Sequence, residues 1–308
     1  MTRAELFEQI KAKKSFLCVG LDTDYYKIPQ FLRDKYNKKA IKKRLVNTSE
    51  TIFRFNKGII DATESHTIAY KPNLAFYEAA GEFGMTALRD TCRYIRSKYP
   101  NLLVIADAKR GDIGNTSEMY ANALIGRRSM IFDAVTLAPY MGRDTVTPFL
   151  KYADKWAVVL ALTSNKSADD FETLELADGK GPLWKEVLRK AATWGGEKTL
   201  DNTMFVVGAT RAETLREVRE IVPDHFLLVP GVGAQGGSLE EVAANGMNSS
   251  CGLLVNSSRG IIYAGAADAG SNEPDSRWNT DPNYFATAAA EEARKMAAEM
   301  ASLLEKYL

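Results

Sequence analysis

The feature that most constrains the fold of this chain is a series of eight short apolar runs, separated by segments with helical spacing. The runs are rich in Val, Ile, Leu and Phe and have the length of buried parallel strands. Eight alternating strand and helix units predict an α/β fold, a closed (β/α)8 TIM barrel, over an open doubly wound sheet, which needs no fixed count of strands. The runs cover residues 16–22, 68–74, 102–109, 132–138, 156–162, 204–209, 226–231 and 252–258.

The segments between the runs are long enough for crossover connections. Helical periodicity is clearest in residues 74–98, 117–126, 212–221 and 238–244. Since no segment has the composition of a linker, we expect one barrel domain spanning residues 1–308.

Three segments are longer than a plain barrel needs. They predict insertions after the first strand (23–67) and the fifth strand (163–202), with helices from Ser49 and over 183–193, and a long mobile loop (264–282) before an Ala-rich terminal helix. The first insertion also carries a basic stretch, which we interpret as a solvated helix face because charge runs usually mark surface. Its members are Lys35, Lys38, Lys39, Lys42, Lys43 and Arg44.

Composition excludes several classes of protein. The net charge is +1, so the chain lacks the broad basic surface of a nucleic-acid or membrane-surface binder, and we expect neither partner. Three cysteines without a CxxC motif argue against disulfides and thiolate zinc sites and predict a reducing, cytoplasmic location. The charged N-terminal stretch has no apolar signal core and no run approaches about 18 apolar residues, so export and membrane insertion are not expected.

In a barrel of this type, chemistry is carried at the C-terminal ends of the strands. Only the sixth run, ending near 208–210, lacks a reactive residue there. His66 and His225 stand at no strand end, which favours structural roles over a histidine base or metal ligand. The polar residues that end the other runs include Asp22, Lys71, Asp107, Lys109, Thr136, Thr163, Ser164, Ser258 and Arg259.

The densest polar cluster lies in residues 107–116. Because side chains alternate along a strand, Asp107 and Lys109 should point the same way. An isolated Asp-x-Lys pair is usually a structural ion pair, but Lys71 and Asp112 extend it to two cations and two anions at the working face. Neighbouring carboxylates raise the pKa of a lysine, so Lys109 is expected to donate a proton rather than form a Schiff base. The same carboxylates could repel an anionic group that leaves during the reaction.

A second cluster predicts a phosphate site. Pro230, Gly231, Gly233 and Gln235 belong to a glycine-rich turn after the seventh strand, where backbone N–H groups can approach an anion. The Ser258-Arg259 pair after the eighth strand adds a two-pronged contact to phosphate oxygens. With no nucleophile-elbow or P-loop motif present and no histidine at a strand end, the residues predict a phosphoester lyase or isomerase that uses no cofactor.

These motifs carry a resemblance to a known family. Residues 21–22, 71–73, 107–116, 230–237 and 258–259 occur in the order and spacing of the orotidine 5'-phosphate decarboxylase family, in its longer bacterial form. The resemblance implies metal-free conversion of orotidine 5'-phosphate to uridine 5'-phosphate and CO2, the last step of de novo pyrimidine nucleotide synthesis. By the same resemblance, Lys109 protonates C6 of the pyrimidine and Asp107 lies against the departing carboxylate. Lys71 and Asp22 then hold ribose hydroxyls and complete the charge array.

The resemblance also implies a homodimer with shared active sites. Asp112 and Thr116 would reach the neighbouring subunit's site, which residue spacing alone does not indicate. Gln235 and Arg259 would grip the phosphate of the nucleotide. Ser164 or Asn165 would contact the base or help close the site, in a loop where long and short forms of the family differ most.

Two other functions are compatible with the barrel. Magnesium-dependent decarboxylases and aldol-type synthases share an Asp-x-Lys-x-x-Asp motif, but their second strand ends in a metal-binding glutamate. Here that position is Lys71, a cation that would repel Mg²⁺. A non-enzymatic barrel that binds a phosphate or a protein partner would have no need of Lys109 and both aspartates.

Overall fold

A computed structural model describes residues 1–37, 46–126, 132–211, 213–233, 236–266 and 275–308. Its eight parallel strands form a closed barrel in chain order, with β8 paired to β1. This confirms the predicted (β/α)8 architecture and the position of all eight runs. The strands are β1 Leu17–Leu21, β2 Ala69–Pro72, β3 Leu103–Arg110, β4 Ala134–Leu137, β5 Trp156–Leu162, β6 Thr203–Val207, β7 Phe226–Pro230 and β8 Leu253–Ser257.

Helices surround the barrel and fill the predicted insertions. The insertion after β1 contains α2 and α3, the one after β5 contains α8 and α9, and the segment after β8 contains α12 and α13. The helices are α1 Arg3–Lys13, α2 Gln30–Asn37, α3 Val46–Thr63, α4 Leu74–Ala79, α5 Gly81–Lys98, α6 Gly114–Leu124, α7 Arg143–Leu150, α8 Leu183–Trp194, α9 Thr199–Asn202, α10 Thr214–Ile221, α11 Leu239–Gly246, α12 Arg259–Ile262, α13 Ser276–Thr280 and α14 Tyr284–Tyr307.

The strands are buried on both faces because the helices cover the outside and side chains fill the inside. Trp156, Tyr70, Phe205 and Phe226 are among the largest fully buried side chains. The barrel is therefore a packed core, and ligands can reach it only at its ends.

Residues 74–98 form two helices where periodicity predicted one continuous segment. The break lies at Gly81, whose φ of +63° favours glycine. The helices then pack closely, since a Cβ added to Gly84 would lie 2.0 Å from the Tyr77 carbonyl oxygen. The hydrophobic spacing continues across this break, so the periodicity of the sequence does not reveal that one helix ends and another begins there.

The described part of the segment after β8 holds a helix where a mobile loop is expected over 264–282. Residues 276–280 form α13, and Asp275 caps it by accepting a hydrogen bond from the Arg277 N–H at 2.8 Å. Trp278 is 4% exposed and packs against Phe55 and Tyr263. Burial of this indole explains why a polar, small-residue stretch holds a helix. Residues 267–274 of the expected loop lie outside the described residues.

The basic stretch of the first insertion is only partly described. Lys35 is exposed on α2, in agreement with a solvated helix face. The remaining members, Lys38, Lys39, Lys42, Lys43 and Arg44, lie outside the described residues.

Both histidines lie away from the C-terminal ends of the strands, as predicted. His66 is in a turn before β2, and His225 directly precedes β7. The His225 ring is buried, and its Nε2 lies 3.2 Å from the Thr199 hydroxyl. These positions confirm that neither histidine belongs to the barrel mouth.

In the described part of the chain, no helix has the length and apolarity needed to cross a membrane.

Candidate active site

A cavity of about 270 Å³ opens at the C-terminal ends of the strands, and every strand of the barrel contributes to its wall or rim. This is the face where (β/α)8 enzymes carry their chemistry. The structure therefore brings most of the predicted site residues together from distant parts of the chain. Those lining the cavity are Asp22, Lys71, Asp107, Lys109, Ser164, Asn165, Pro230, Gly231, Ser258 and Arg259.

The centre of the cavity is one carboxylate between two ammonium groups. Lys71 Nζ donates to Asp107 Oδ2 at 2.7 Å, and Lys109 Nζ donates to Asp107 Oδ1 at 2.5 Å. Lys71 and Asp107 are buried, whereas the Lys109 side chain is 51% exposed. All three line the cavity, and Lys109 is the member of the array most open to solvent.

The Asp107–Lys109 contact is confirmed, but regular strand alternation does not produce it. The pairing of β3 with β4 shifts register between Ala106 and Arg110, and Lys109 has a φ of +45°. Such a bulge re-aims a side chain near an active site. Non-glycine residues rarely occupy this left-handed region, so the surrounding structure must hold Lys109 there.

Thr136 holds this bulge; the sequence places it among the polar strand-end residues but predicts no role for it. Its hydroxyl oxygen accepts from the backbone N–H groups of Ala108 at 3.0 Å and Lys109 at 2.9 Å. The same hydroxyl lies 3.1 Å from Asp107 Oδ1, to which it can donate its single proton. The signal was available in the sequence, since Thr136 is the polar residue of the fourth strand.

The electrostatics of the array keep it charged. Burial alone would raise the pKa of the Asp107 carboxyl, but the charges of Lys71 and Lys109 outweigh burial and hold this pKa well below its usual range. Burial alone would lower the pKa of the Lys71 ammonium, but Asp107 and Asp22 outweigh it and raise that pKa. A carboxylate and an ammonium at fixed positions are therefore present at neutral pH.

Two buried oxygens of the cavity lack a hydrogen-bond partner among the described residues, Asp22 Oδ1 and Asn256 Oδ1. Buried polar groups are normally satisfied, so unpaired acceptors in a cavity indicate where a ligand or water binds. Asn256 donates from Nδ2 to Ser258 Oγ at 3.2 Å and is a site residue that sequence reasoning missed. Its inward position on β8, two residues before Ser258, is the signal that could have found it.

The glycine-rich turn after β7 has the predicted open backbone. Gly231, Gly233 and Gly236 have φ values of +99°, +73° and +87°, which explains the choice of glycine. Pro230 and Gly231 line the cavity, as do Ser258 and Arg259 at the end of the neighbouring strand β8. Gly233 is described but is not a lining residue, and Gln235 lies outside the described residues.

The turn after β5 places Thr163, Ser164 and Asn165 on the cavity wall. Glu172 holds this turn from the following loop, accepting from the Thr163 N–H at 2.6 Å and from the Thr163 hydroxyl at 2.8 Å. Thr163 Oγ1 also lies 2.6 Å from Asn165 Oδ1. Sequence reasoning missed Glu172 because nothing in residue spacing indicates that a loop carboxylate turns back over nine positions.

The chemically plain end of β6 has a steric role in this wall. A Cβ added to Gly208 would lie 2.8 Å from the Ser164 backbone and side chain, so only glycine permits the close approach. Apolar side chains complete the wall beneath the polar rim, namely Leu160, Val206, Leu228 and Val232. Such a mixture of an apolar lining and few polar groups is typical of a small-molecule site.

Asp112 and Thr116 do not join the cavity of their own chain as the described residues form it. Asp112 Oδ1 accepts from the Ile113 N–H at 2.8 Å, and Thr116 is exposed on α6. Two large apolar residues close to them in sequence, Ile113 and Met119, are both more than half exposed. An exposed apolar surface of this kind is typical of a protein interface.

Among the described residues, no group of three or more His, Cys, Asp or Glu side chains is arranged to hold a metal ion.

Comparison with known proteins identifies similar sequences. Residues 15–271 match the model of the orotidine 5'-phosphate decarboxylase / HUMPS family. The chain is 51% identical over 304 residues to an orotidine 5'-phosphate decarboxylase of Phocaeicola vulgatus, covering 99% of each chain. It is also 51% identical over 308 residues to the protein of that name from Bacteroides fragilis, covering 100% of each.

A solved structure has the same architecture. The structure of Leishmania donovani OMP decarboxylase superimposes with a TM-score of 0.70 at 31% sequence identity. The match covers 97% of this chain and 99% of that one, so the insertions are included in the similarity.

Proposed function

Because this chain belongs to the orotidine 5'-phosphate decarboxylase family, we propose that it converts orotidine 5'-phosphate to uridine 5'-phosphate and CO2 without a metal ion. It is an enzyme of the decarboxylase class and acts in pyrimidine biosynthesis, and its full-length relatives are named orotidine 5'-phosphate decarboxylase. The observation that carries the proposed mechanism is the Lys71–Asp107–Lys109 array inside the barrel mouth. We further propose that residues 1–308 act as one domain and that the enzyme works in the cytoplasm, where its buried free cysteines remain thiols.

In the proposed reaction, the bond between C6 and the substrate carboxylate breaks and leaves its electron pair on C6. The Lys109 ammonium gives a proton to C6 as neutral CO2 departs. Neutral Lys109 then recovers a proton from water, which its half-exposed side chain permits. The step balances without an oxidant, a reductant or a cofactor.

Asp107 would promote this step by repulsion. Its carboxylate is ionised at neutral pH, because the lysine charges keep its pKa low. A substrate carboxylate placed beside it would be repelled in a site of low dielectric constant, and loss of CO2 would remove that repulsion. Lys71 would keep Asp107 in place during the reaction, since their 2.7 Å ion pair is buried.

The rest of the nucleotide would lie against the other walls of the cavity. The open backbone at Pro230 and Gly231, together with Arg259, offers donors to a phosphate dianion. Asp22 has an unpaired buried oxygen that could accept from a ribose hydroxyl. Gln235 and Ser258 complete the proposed phosphate end, and Ser164 and Asn165 the base end.

We also propose a homodimer in which Asp112 and Thr116 complete the partner's site. Support comes from their absence from their own cavity, as far as the chain is described, and from the exposed Ile113 and Met119 beside them. Mixing two inactive variants, Lys109→Ala and Asp112→Asn, tests the arrangement. Heterodimers would hold one intact site, so random exchange should recover about a quarter of the original activity. Subunit exchange without recovery would place Asp112 in its own site.

One assay tests the function itself. Protein is mixed with orotidine 5'-phosphate and EDTA, and the loss of orotate absorbance is followed. The proposed enzyme is active with the chelator present. Activity that disappears with EDTA would indicate a magnesium-dependent relative, and binding without any change in absorbance would indicate a non-catalytic barrel.

A further inference from the structure

We propose that Thr136 is a positioning residue for the protonation step, because its hydroxyl group fixes both ends of the Lys109 side chain. This inference rests on the proposed function, in which the Lys109 ammonium gives a proton to C6. Thr136 is 1% exposed and lies on β4, beside the bulge of β3. Its hydrogen bonds are made to protein groups, so it acts on the reaction through Lys109.

The backbone of Lys109 is held by a side chain where comparable residues are held by other backbone groups. In the described part of the chain, the non-glycine residues with positive φ are Lys14, Lys109 and Cys251. The N–H groups of Lys14 and Cys251 donate to backbone carbonyls. The Lys109 N–H donates to the Thr136 hydroxyl oxygen at 2.9 Å instead. The left-handed conformation of Lys109, which is unfavourable for a residue with a side chain, therefore depends on this hydroxyl.

The Thr136 hydroxyl has a partner for each of its hydrogen-bonding positions. An alcohol oxygen can accept two hydrogen bonds and donate one. It accepts from the Ala108 N–H at 3.0 Å and from the Lys109 N–H at 2.9 Å. Its proton goes to Asp107 Oδ1 at 3.1 Å, the nearer of two acceptors, because the Ala106 carbonyl oxygen is 3.5 Å away. The hydroxyl is therefore fixed from three sides.

The carboxylate oxygen that receives this proton also holds the ammonium group of Lys109. Asp107 Oδ1 accepts from Lys109 Nζ at 2.5 Å as well as from Thr136. The other oxygen, Asp107 Oδ2, accepts from Lys71 at 2.7 Å, which keeps the carboxylate from rotating. One hydroxyl thus connects the backbone N–H of Lys109 to the acceptor of its side chain. The position of Nζ is set as a result, and a proton donor must lie within reach of the atom that it protonates.

Regular strand pairing does not replace the hydroxyl at this point of the barrel. The register of β3 against β4 shifts between Ala106 and Arg110, so the N–H groups of residues 108 and 109 depend on Thr136. A buried N–H group without an acceptor is unfavourable. Without the hydroxyl we expect the backbone of Lys109 to rearrange and to carry Nζ away from its position. The proposed phosphate end belongs to other strands and should bind the nucleotide as before.

The substitution Thr136→Val tests this role, because valine has a similar shape and no hydroxyl. We expect kcat to fall about 100-fold, the usual effect of displacing a catalytic group by about 1 Å. The Kd of uridine 5'-phosphate should stay within threefold of that of the unmodified chain. Thr136→Ser retains the hydroxyl and should keep kcat within threefold. The absorbance assay measures kcat, and calorimetric titration of the full chain measures Kd.

Thr67→Val is the matched control. Thr67 is also a fully buried threonine of the barrel, and its hydroxyl donates to the Leu17 carbonyl at 2.8 Å, at the N-terminal end. This substitution should lower the thermal stability as Thr136→Val does and keep kcat within twofold. If Thr136→Val does not fold, Thr136→Cys takes its place. A thiol is a weak donor and a weak acceptor, so the same loss of kcat is expected.

The possible outcomes separate the inference from the proposed function. A loss of kcat smaller than tenfold in Thr136→Val would overturn the inference and leave the proposed function intact. Parallel losses of kcat and of uridine 5'-phosphate affinity, or a loss of kcat in Thr136→Ser as large as in Thr136→Val, would also overturn it, since the residue would then shape the cavity as a whole. Absence of decarboxylation by the unmodified chain would overturn both.

Discussion

The two ends of the barrel each contain one carboxylate between two cations. At the C-terminal end, Asp107 is paired with Lys71 and Lys109, and at the N-terminal end Asp133 is paired with Arg96 and Lys155. The charge composition is the same, and both aspartates are buried. What differs is the set of partners and the access to each group.

Asp133 is hydrogen-bonded to the backbone of neighbouring strands of the barrel. Its carboxylate accepts from the Val104 N–H at 2.9 Å, and its own N–H and carbonyl pair with Val104 and Trp156. Lys155, one of its two cations, is only 16% exposed. This triad joins the starts of β3, β4 and β5, so we interpret it as structural.

Asp107 is held by side chains instead, those of Lys71, Lys109 and Thr136. Its outer cation, Lys109, is 51% exposed and has left-handed backbone geometry. The comparison shows that a buried triad of charges does not identify an active site. An open cation, a strained backbone and unpaired acceptors such as Asp22 Oδ1 are what distinguish the functional one.

The largest expected difference is between Asp107→Asn and Asp133→Asn. Both should lower the free energy of unfolding by about 2–4 kcal/mol, because each leaves a largely buried cation without its carboxylate. Only Asp107→Asn should also reduce kcat, by about 10³-fold or more, since it alone removes a charge beside the reacting group. Urea unfolding and the absorbance assay measure the two quantities. A kcat loss of that size in Asp133→Asn would end the distinction between the triads.

A second comparison uses one arginine from each end of the barrel, Arg259 and Arg219. Arg259→Ala should weaken capture of orotidine 5'-phosphate by about 2–5 kcal/mol, as expected when a desolvated charge pair loses one partner. Capture of orotidine, which lacks the phosphate, should be almost unchanged by this substitution. Arg219 serves as the control, because its guanidinium donates to the Gly246, His225 and Gly252 carbonyls at 2.6, 2.7 and 2.9 Å.

Arg219→Ala should therefore reduce stability and leave kcat/KM unchanged for the folded fraction. Equal losses of kcat/KM for both substrates in Arg259→Ala would mean that Arg259 is structural and that the phosphate binds elsewhere.

The smallest expected effect is a pH dependence of stability that originates at the N-terminal end. Burial, assisted by the Arg219 charge, lowers the pKa of His225 to about 4 from the usual 6.5. The unfolded chain then binds more protons than the folded one between these values, so stability falls as the pH drops through this window. Between pH 7 and pH 5 the loss should be about 2 kcal/mol.

His225→Gln should flatten this dependence while leaving the pH profile of kcat unchanged, because His225 is not part of the barrel mouth. Urea unfolding at several pH values measures the pH dependence of the unfolding free energy. A pH dependence that persists in His225→Gln would assign it to another group.

The sequence was sufficient to predict the barrel, because buried parallel strands leave continuous apolar runs that need no tertiary information. It also located the array, since Lys71, Asp107 and Lys109 all stand at strand ends. It did not predict the bulge at Lys109, where a hydrogen bond from the Lys109 N–H to the Thr136 hydroxyl oxygen replaces regular pairing. That bond forms because β4 lies next to β3, and the pattern of residues within a single strand does not indicate which strand will be its neighbour.

Other parts of the site escaped prediction for the same physical reason. Glu172 acts through a loop that turns back on Thr163, and Trp278 orders α13 through contacts with Phe55 and Tyr263. Each depends on contacts between residues distant in sequence. The roles given to Asp112 and Thr116 stay predictions, since they concern a second subunit.

The most direct test of this account compares Lys109→Ala with Lys155→Ala, which remove the outer cation of each triad. Each variant retains one ion pair to its aspartate, so both should fold, with unfolding free energies within about 1–2 kcal/mol of the unmodified chain. The account predicts that Lys109→Ala loses at least about 10³-fold in kcat, within the range that proton donation contributes, and still binds uridine 5'-phosphate. Lys155→Ala should keep kcat within twofold. Retention of more than a tenth of kcat by Lys109→Ala would contradict the assignment of this lysine and, with it, the functional distinction between the two ends of the barrel.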